Sequence, residues 1–176
     1  MAKGMLRVVE GDVTDPQFTK EGEMAIIPHC CNNVGVMEAG VALALRNKWP
    51  AVYDRYKAME ADSSDGLKNR LGENCNEIVE KNIIVVNMIG QDGTVSADNL
   101  TPVKYWALQK CMKGIRVSLM ATLHMHLKYR NMTPVIHTCK FGSDLAGGNW
   151  DFILEFIREQ WLEYGIDVVV YEFVPK

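Results

Sequence analysis

The chain has 176 residues, 48% hydrophobic and 23% charged, proportions that are ordinary for a globular protein and fit one domain over residues 1–176. The formal net charge of -3 provides no overall basic field, so we expect no strong nucleic-acid footprint, and an anionic ligand would be held by local groups. No apolar run approaches the roughly 20 residues of a membrane span, and the N-terminus lacks a secretion signal, so we expect no membrane partner.

The first half of the chain alternates between strand-like and helix-like segments. It predicts strands at Leu6–Val9 and Met24–His29, a buried helix at Gly40–Asn47, an amphipathic helix at Ala51–Glu60 and a surface loop at Asp62–Asn69. The second strand is apolar with Pro28 near its end, which indicates a buried strand that runs into a loop.

The second half continues the alternation with Ile83–Met88, the clearest strand, which is rich in β-branched residues. It is followed by a polar loop at Gly90–Thr101, a long helix at Tyr105–Leu127, a strand at Val135–Cys139, a helix at Trp150–Tyr164 and a strand at Ile166–Val174. This alternation predicts an α/β fold, a three-layer α/β/α sandwich whose strand ends carry the site.

The cysteines are odd in number and irregularly spaced: Cys30, Cys31, Cys75, Cys111 and Cys139. This pattern argues against a disulfide framework and favours a reducing, cytoplasmic location. The adjacent pair Cys30 and Cys31 follows His29 but lacks zinc-site spacing, so we expect no metal.

Two glycine-containing loops run into helices. Residues 27–45 (IPHCCNNVGVMEAGVALAL) pass from an apolar strand through small residues into an apolar helix, and residues 141–150 (FGSDLAGGNW) repeat that pattern. Strand, tight loop and helix N-terminus together form phosphate cradles in proteins. The pair of loops therefore suggests a ligand with a phosphate or diphosphate, held by backbone N–H groups.

Polar residues near the strand ends have functional and structural interpretations. Asp12 follows the first strand and could accept a hydrogen bond from an amine such as that of adenine, or it could cap a turn. His29 could act as a general acid or base near neutral pH, or be a hydrogen-bonded core histidine. Asn32 and Asn33 suit ribose hydroxyls or a turn. Asp92 is an unassigned acid in a loop, catalytic or merely solvated.

Five segments in order carry a family resemblance: GDVTD near the start, HCCNNVGVMEAGVALAL, WPAVYDRYK, VVNMIGQDG and FGSDLAGGNW. Together they resemble the macro domain family, which binds ADP-ribose. The similarity is greatest to the branch of ADP-ribose 1″-phosphate phosphatases and small ADP-ribosyl hydrolases. It implies a three-layer α/β/α sandwich with a mixed, mostly parallel sheet, no cofactor, and ADP-ribose, a derivative or an ADP-ribosylated macromolecule as partner.

The resemblance also implies site residues. Asp12 would bind the adenine amine beside the Val13 amide, Asn32 and Asn33 would approach the distal ribose, and His29 and Asp92 would be catalytic near the 1″ position. The ribose and diphosphate would be wrapped by Gly35, Val36, Met37, Ala39, Gly40 and Val41 on one side. They would face Gly142, Ser143, Asp144, Leu145, Ala146 and Gly147 on the other.

Two positions depart from the family pattern. Glu38 and Asp144 stand where the family usually has glycine, and each adds a carboxylate beside a loop expected to hold a diphosphate. The lysine of related lyase-like hydrolases is also missing, since the chain has Ile89-Gly90-Gln91 at that place. The resemblance, with His29 at the mouth of two phosphate-type loops, nevertheless implies binding of ADP-ribose and hydrolysis of ADP-ribose 1″-phosphate or a related ester. A non-catalytic ADP-ribose-binding module, and removal of ADP-ribose from protein or nucleic acid, remain as alternatives.

Overall fold

Strands and helices alternate through most of the chain in the computed structural model, which describes residues 2–62, 64–125 and 131–174, with the backbone alone for 122–125. The strands are β1 (Leu6–Glu10), β2 (Glu23–Asn32), β3 (Asn74–Glu80), β4 (Ile83–Gln91), β5 (Thr133–Thr138) and β6 (Asp167–Glu172). The helices are α1 (Gly40–Lys48), α2 (Pro50–Ala61), α3 (Tyr105–Met125) and α4 (Trp150–Gln160).

The strands form one mixed sheet in the order β1-β6-β5-β2-β4-β3. Every neighbouring pair is parallel except β3 with β4, which is antiparallel. The predicted α/β fold with a mixed, mostly parallel sheet is confirmed. Because the parallel strands share one direction, the loops after β1, β2, β4, β5 and β6 all meet at the same edge of the sheet.

Each face of the sheet has its own apolar core. Ile26 of β2 belongs to the core under α3 and α4, which includes Leu108 and Trp161. The next residue, Ile27, belongs to a core with Leu45 of α1 and Val52 of α2. Neighbouring strand residues point to opposite faces, so this division produces the predicted three layers.

Strand β2 extends beyond its predicted end. Pro28 has no N–H to donate to a neighbouring strand, and the register of β2 with β5 ends at Ile26 and Ile136. The Pro28 carbonyl instead accepts from Thr138 Oγ1 at 2.9 Å. The proline is thereby accommodated in a central strand, and β2 continues through His29 to Asn32 on its other neighbour, β4.

Other boundaries differ from the predictions for local reasons. The edge strand β3 was not predicted, because its sequence NCNEIVE is largely polar. The helix α1 is only partly buried, with Leu45 fully enclosed, because one side borders a cavity. The last predicted helix ends at Gln160 and is followed by a one-turn 3-10 helix, Leu162–Tyr164. The predicted end of α3 at Leu127 lies outside the described residues.

Two further features complete the fold. Within the described ranges, no helix is long and apolar enough to cross a membrane. The cysteines at positions 30, 31, 75, 111 and 139 are all free thiols, and three of them are buried.

Candidate functional site

A cavity of about 710 Å³ opens at the edge of the sheet where the parallel strands end. Its lining comes from the segments that follow β1, β2, β4, β5 and β6 and from the N-terminal part of α1. Of the predicted binding residues, it includes Asp12, Val13, Asn32, Val36, Met37, Ala39, Gly40, Val41, Gly142, Ser143, Asp144, Leu145 and Ala146. Both glycine-containing loops therefore border the same cavity.

The first loop presents an uncapped helix N-terminus to this cavity. Ala39 is the N-cap residue of α1 and offers no side-chain hydrogen bond, and the first turn carries no acid. Ala39, Gly40 and Val41 all line the cavity. The first N–H groups of a helix have no partner within it and carry a partial positive charge, so this end of α1 favours an anion.

The second loop is shaped by glycines that leave no room for a side chain. Gly147 has φ +69°, and a Cβ there would lie 2.4 Å from the Leu100 carbonyl oxygen. Gly148 N donates to the Gly142 carbonyl at 3.0 Å, which closes the loop. The N–H groups of Ser143, Asp144 and Leu145 make no hydrogen bond with the described part of the chain. These amides are free to bind a second anionic group.

Asp144 adopts a backbone conformation that normally favours glycine. Its φ is +47°, and among the described residues no other non-glycine has a positive φ. Its side chain is exposed at the cavity, and its charge acts on two neighbours there. Together with the larger effect of burial, it raises the pKa of the Cys139 thiol to about 12. It also adds to the effect of Glu172, which pairs with Lys140 at 2.7 Å and raises the pKa of that lysine.

Asp12 caps the turn after β1 and leaves one carboxylate oxygen without a partner in the described chain. Its Oδ1 accepts from the Thr14 N–H at 2.8 Å, and its carbonyl accepts from the Asp15 N–H at 2.9 Å, so it caps the turn after β1. Its Oδ2 has no hydrogen-bond partner in the described chain, and the side chain is exposed at the cavity wall. One carboxylate oxygen therefore stays available for a ligand.

His29 lies in the core rather than at the cavity surface. It is fully buried and its Nε2 lies 2.6 Å from Asn87 Oδ1, while Asn87 Nδ2 donates to the Val52 carbonyl at 3.1 Å. Because the asparagine nitrogen is already donating, Asn87 Oδ1 accepts and the imidazole donates from Nε2. Desolvation lowers the pKa of His29 to about 4, although the bond to Asn87 opposes that shift, so the ring is neutral near pH 7. This geometry matches the core-histidine alternative, because β2 continues past His29.

Several solved structures share this architecture. A Bacteroides thetaiotaomicron protein of unknown function, 28% identical, aligns with a TM-score of 0.76 over 97% of this chain and 99% of that one. A macrodomain protein from Streptomyces coelicolor, 27% identical, aligns with a TM-score of 0.70 over 95% of this chain and 98% of that one. The chain has a macrodomain-like fold.

The macrodomain-like fold also extends to more distant structures. Thermosipho africanus DarTG in complex with ADP-ribose is 15% identical, with a TM-score of 0.63 over 97% of this chain and 43% of that one. At that identity the likeness concerns the fold alone. No protein-family model matches the sequence, and no curated protein matches it significantly.

Both predicted ribose-binding asparagines are engaged in hydrogen bonds within the chain. Asn32 Oδ1 accepts from the N–H groups of Val34 and Val36, both at 3.1 Å, and its Nδ2 donates to the Val36 carbonyl. Asn33 donates to Asp92 Oδ1 at 3.1 Å and accepts from the Gly93 N–H at 2.8 Å. The turn-forming alternative thus describes Asn32, which also lines the cavity, whereas Asn33 ties the loop after β2 to the loop after β4.

Four of the predicted site residues other than His29 lie outside the cavity lining: Asn33, Gly35, Asp92 and Gly147. Gly35 and Gly147 shape the two loops from behind, with φ values of +77° and +69°. Asp92 is exposed and hydrogen-bonded to Asn33, so it supports the loop after β4. In this arrangement neither predicted catalytic residue reaches the cavity.

Sequence reasoning assigned no binding role to several lining residues: Gly11, Cys30, Cys31, Glu38, Ala42, Ala44, Gln91, Thr94, Val95, Cys139, Lys140, Phe141, Tyr171 and Phe173. Most of these residues lie at a strand end or just after one, and that position is the signal by which the sequence could have identified them. Among the charged lining residues, Asp12, Glu38 and Asp144 are acidic and Lys140 is basic. The described residues contain no cluster of three or more metal-ligating side chains.

Proposed function

We propose that this chain binds ADP-ribose, free or attached to a larger molecule, in the cavity at the strand ends. The observation that carries the proposal is the convergence on one cavity of an uncapped helix N-terminus and a glycine loop with free amides. Two sets of amides at one cavity suit the diphosphate of such a ligand. The proposal is supported by the similar fold of DarTG from Thermosipho africanus, whose structure is a complex with ADP-ribose.

The proposed orientation follows from the polar groups at the two ends of the cavity. The free Oδ2 of Asp12 would accept from the adenine amine, with the Val13 amide beside it. The diphosphate would lie between the α1 N-terminus and residues 143–145. The distal ribose would then lie near the end of β2 and the loop after β4, where Gln91 and Thr94 line the wall.

Isothermal titration with ADP-ribose tests this proposal directly. Asp12→Asn keeps an Oδ1 to cap Thr14 but replaces the free acceptor with a donor, so we expect its affinity to fall about tenfold. Asp15→Asn makes the same charge change on an exposed residue of the same turn outside the lining, and should bind like wild type. Wild-type protein that shows no heat of binding at millimolar ADP-ribose would refute the proposal.

Hydrolysis of ADP-ribose 1″-phosphate, or of a related ester, is the finer hypothesis. It needs a group that activates water near the distal ribose, and His29 and Asp92 do not line that part of the cavity. Binding is therefore the function that the geometry supports best. Phosphorus NMR of ADP-ribose 1″-phosphate distinguishes the two: released inorganic phosphate supports hydrolysis, whereas shifted diphosphate resonances alone support binding.

The net charge of -3 predicts no strong nucleic-acid footprint overall, but one local charge asymmetry supports a nucleic acid as the carrier of the ADP-ribosyl group. Residues 99–143 contain no Asp or Glu, although the whole chain is acidic. Within them, Trp106, Lys110 and Lys113 are exposed on α3 at spacings that place them on one face. Basic and aromatic side chains together bind single strands through phosphates and stacking. An ADP-ribosylated oligonucleotide should then bind more tightly than free ADP-ribose, and Lys110→Glu with Lys113→Glu should remove only that difference.

A further inference from the structure

A chain of buried polar side chains runs behind the adenine end of the cavity. Glu23, His137 and Tyr171 are at most 3% exposed. His137 Nε2 lies 2.7 Å from Glu23 Oε1, and His137 Nδ1 lies 2.9 Å from Tyr171 Oη. Tyr171 Oη in turn accepts from the Gln17 N–H at 2.8 Å. A buried carboxylate is costly unless it is fully hydrogen-bonded, so this arrangement needs a reason.

The direction of each hydrogen bond follows from its neighbours. A backbone N–H can only donate, so Tyr171 accepts from Gln17 and has its own proton free for His137 Nδ1. A neutral imidazole then carries its proton on Nε2 and donates it to Glu23. Burial lowers the pKa of His137 despite the opposing effect of Glu23, which agrees with a neutral ring.

Both ends of the chain hold the same connection, residues 11–22 between β1 and β2. Tyr171 holds the Gln17 amide at one end. At the other, Glu23 Oε2 accepts from the N–H groups of Thr19 at 3.0 Å and Lys20 at 3.1 Å. The buried polar chain thus helps to fix the path of this loop, alongside the bond from Gly11 N to the Glu172 carbonyl and the Lys20–Asp167 ion pair.

The same loop carries Asp12 into the cavity, in direct contact with the tyrosine. A Cβ built at Gly11 would lie 3.3 Å from Tyr171 Cδ1 and 3.1 Å from Gln17 Nε2, so the backbone before Asp12 packs closely on both. Gly11 N donates to the Glu172 carbonyl at 3.0 Å, which ties this turn to the residue after Tyr171. We therefore expect a shift of Tyr171 or Gln17 to move the turn that carries the Asp12 carboxylate.

We infer that Tyr171, oriented by His137 and Glu23, is the positioning residue that sets Asp12 for an exocyclic amine and makes the cavity selective for adenine over a 6-oxopurine. The inference rests on the proposed function, because it concerns the base of that same ligand. A 6-oxopurine presents an acceptor where adenine presents a donor, so a correctly placed carboxylate repels one and binds the other. Tyr171 acts through the loop and need not touch the base itself.

The test measures dissociation constants for ADP-ribose and for its hypoxanthine analogue, inosine diphosphate ribose. We expect wild type to bind ADP-ribose about tenfold more tightly than the analogue. Tyr171→Phe removes only the hydroxyl, so the affinity for ADP-ribose should fall while that for the analogue stays nearly constant. The ratio of the two constants should shrink at least threefold, roughly the value of one hydrogen bond.

Tyr105→Phe is the matched control. Tyr105 Oη also accepts from a backbone N–H, that of Asn149 at 2.8 Å, but it supports the end of the other loop. Loss of the Tyr105 hydroxyl should weaken the binding of both ligands equally and leave the ratio of their dissociation constants unchanged. Glu23→Gln, which retains an acceptor for His137 but loses the charge, should reduce the ratio in the same direction and serves if Tyr171→Phe does not fold.

The outcomes separate the inference from the proposed function. A wild-type ratio near one refutes the inference while leaving ADP-ribose binding intact, and so does an unchanged ratio in Tyr171→Phe. Wild-type protein that binds neither ligand refutes both. A lowered melting temperature with an unchanged ratio would show that the buried polar chain stabilises the fold without setting specificity.

Discussion

Removing the Asp144 charge should strengthen the binding of ADP-ribose. The carboxylate borders the loop whose free amides would hold the diphosphate, and its charge already acts on Cys139 and Lys140. If a ligand phosphate binds about 6 Å from the Asp144 carboxylate, the two negative charges repel by about 0.7 kcal/mol in water and by more in a partly enclosed site. Because Asp144 is exposed, the repulsion should be close to its value in water. We therefore expect Asp144→Asn to bind ADP-ribose about threefold to fivefold more tightly.

The backbone at position 144 separates this charge effect from strain. Asparagine tolerates a φ of +47° as well as aspartate does, so Asp144→Asn should keep its melting temperature. Asp144→Gly also loses the charge, and its relief of strain is offset by the extra freedom of glycine in the unfolded chain. Asp144→Ala keeps the positive φ, which alanine tolerates less well than aspartate, and should lose about 1 kcal/mol of stability.

Calorimetric titration of wild type and these three variants at low and high salt is the assay. The charge argument requires similar affinity gains in all three variants and a gain that shrinks as salt rises, because exposed charges are screened. Weaker binding by Asp144→Asn would refute the reasoning, since it would mean that the carboxylate contacts the ligand favourably. Equal affinities at every salt concentration would place the diphosphate elsewhere.

Three further outcomes follow from the same geometry. Gly147→Ala should cost at least about 2 kcal/mol of unfolding free energy and weaken ligand binding, because its Cβ would lie 2.4 Å from the Leu100 carbonyl at φ +69°; denaturant titration measures this. His29→Gln should leave the dissociation constant for ADP-ribose within about twofold of wild type, since His29 does not line the cavity. Cys139 should react with iodoacetamide slowly at pH 8, because its pKa is about 12, and more slowly still with ADP-ribose bound.

The depressed pKa of His29 also predicts a pH dependence of stability. The unfolded histidine takes up a proton near its ordinary pKa of 6.5, whereas the folded one does so only near 4. Between these values the unfolded state binds more protons, so the free energy of unfolding should fall as pH drops from 6.5 to 4, by about 3 kcal/mol. His29→Gln cannot titrate, and its stability should decline less over that interval in urea titrations. Parallel pH profiles for both proteins would contradict the assignment of a buried neutral imidazole.

The fold was predictable because its central strands are apolar on both faces. Segments such as Ile83–Gln91 are buried from both sides of the sheet, and that burial is visible as continuous hydrophobic sequence. Strand β3 escaped prediction because it is an edge strand with one exposed face, where Ile78 is 60% exposed. Its pairing with β4 depends on a neighbour that periodicity alone does not reveal.

The loops of the site were predictable from the sequence, whereas the positions of two of its side chains, His29 and Tyr171, were not. Glycines at 35, 142 and 147 all have positive φ, so the sequence itself marked where the backbone turns tightly. The position of His29 depended instead on a tertiary contact, the bond from Thr138 to the Pro28 carbonyl within a central strand. Tyr171 lies in an apolar terminal strand, and nothing local distinguished it from core.

The thiols that line the cavity and the buried His29 supply no activated nucleophile or base for cleavage of a ligand. Burial raises the pKa of Cys30 and Cys31 far above neutrality, and Cys139 has a pKa of about 12, so no thiolate nucleophile forms at these lining residues near pH 7. The imidazole of His29 is neutral but already donates to Asn87 from within the core. A cleavage reaction here would therefore have to use a lining carboxylate, Asp12, Glu38 or Asp144, or water oriented by the ligand and by neutral groups such as Gln91. Binding by preorganised amides needs neither a thiolate nor a protonated imidazole.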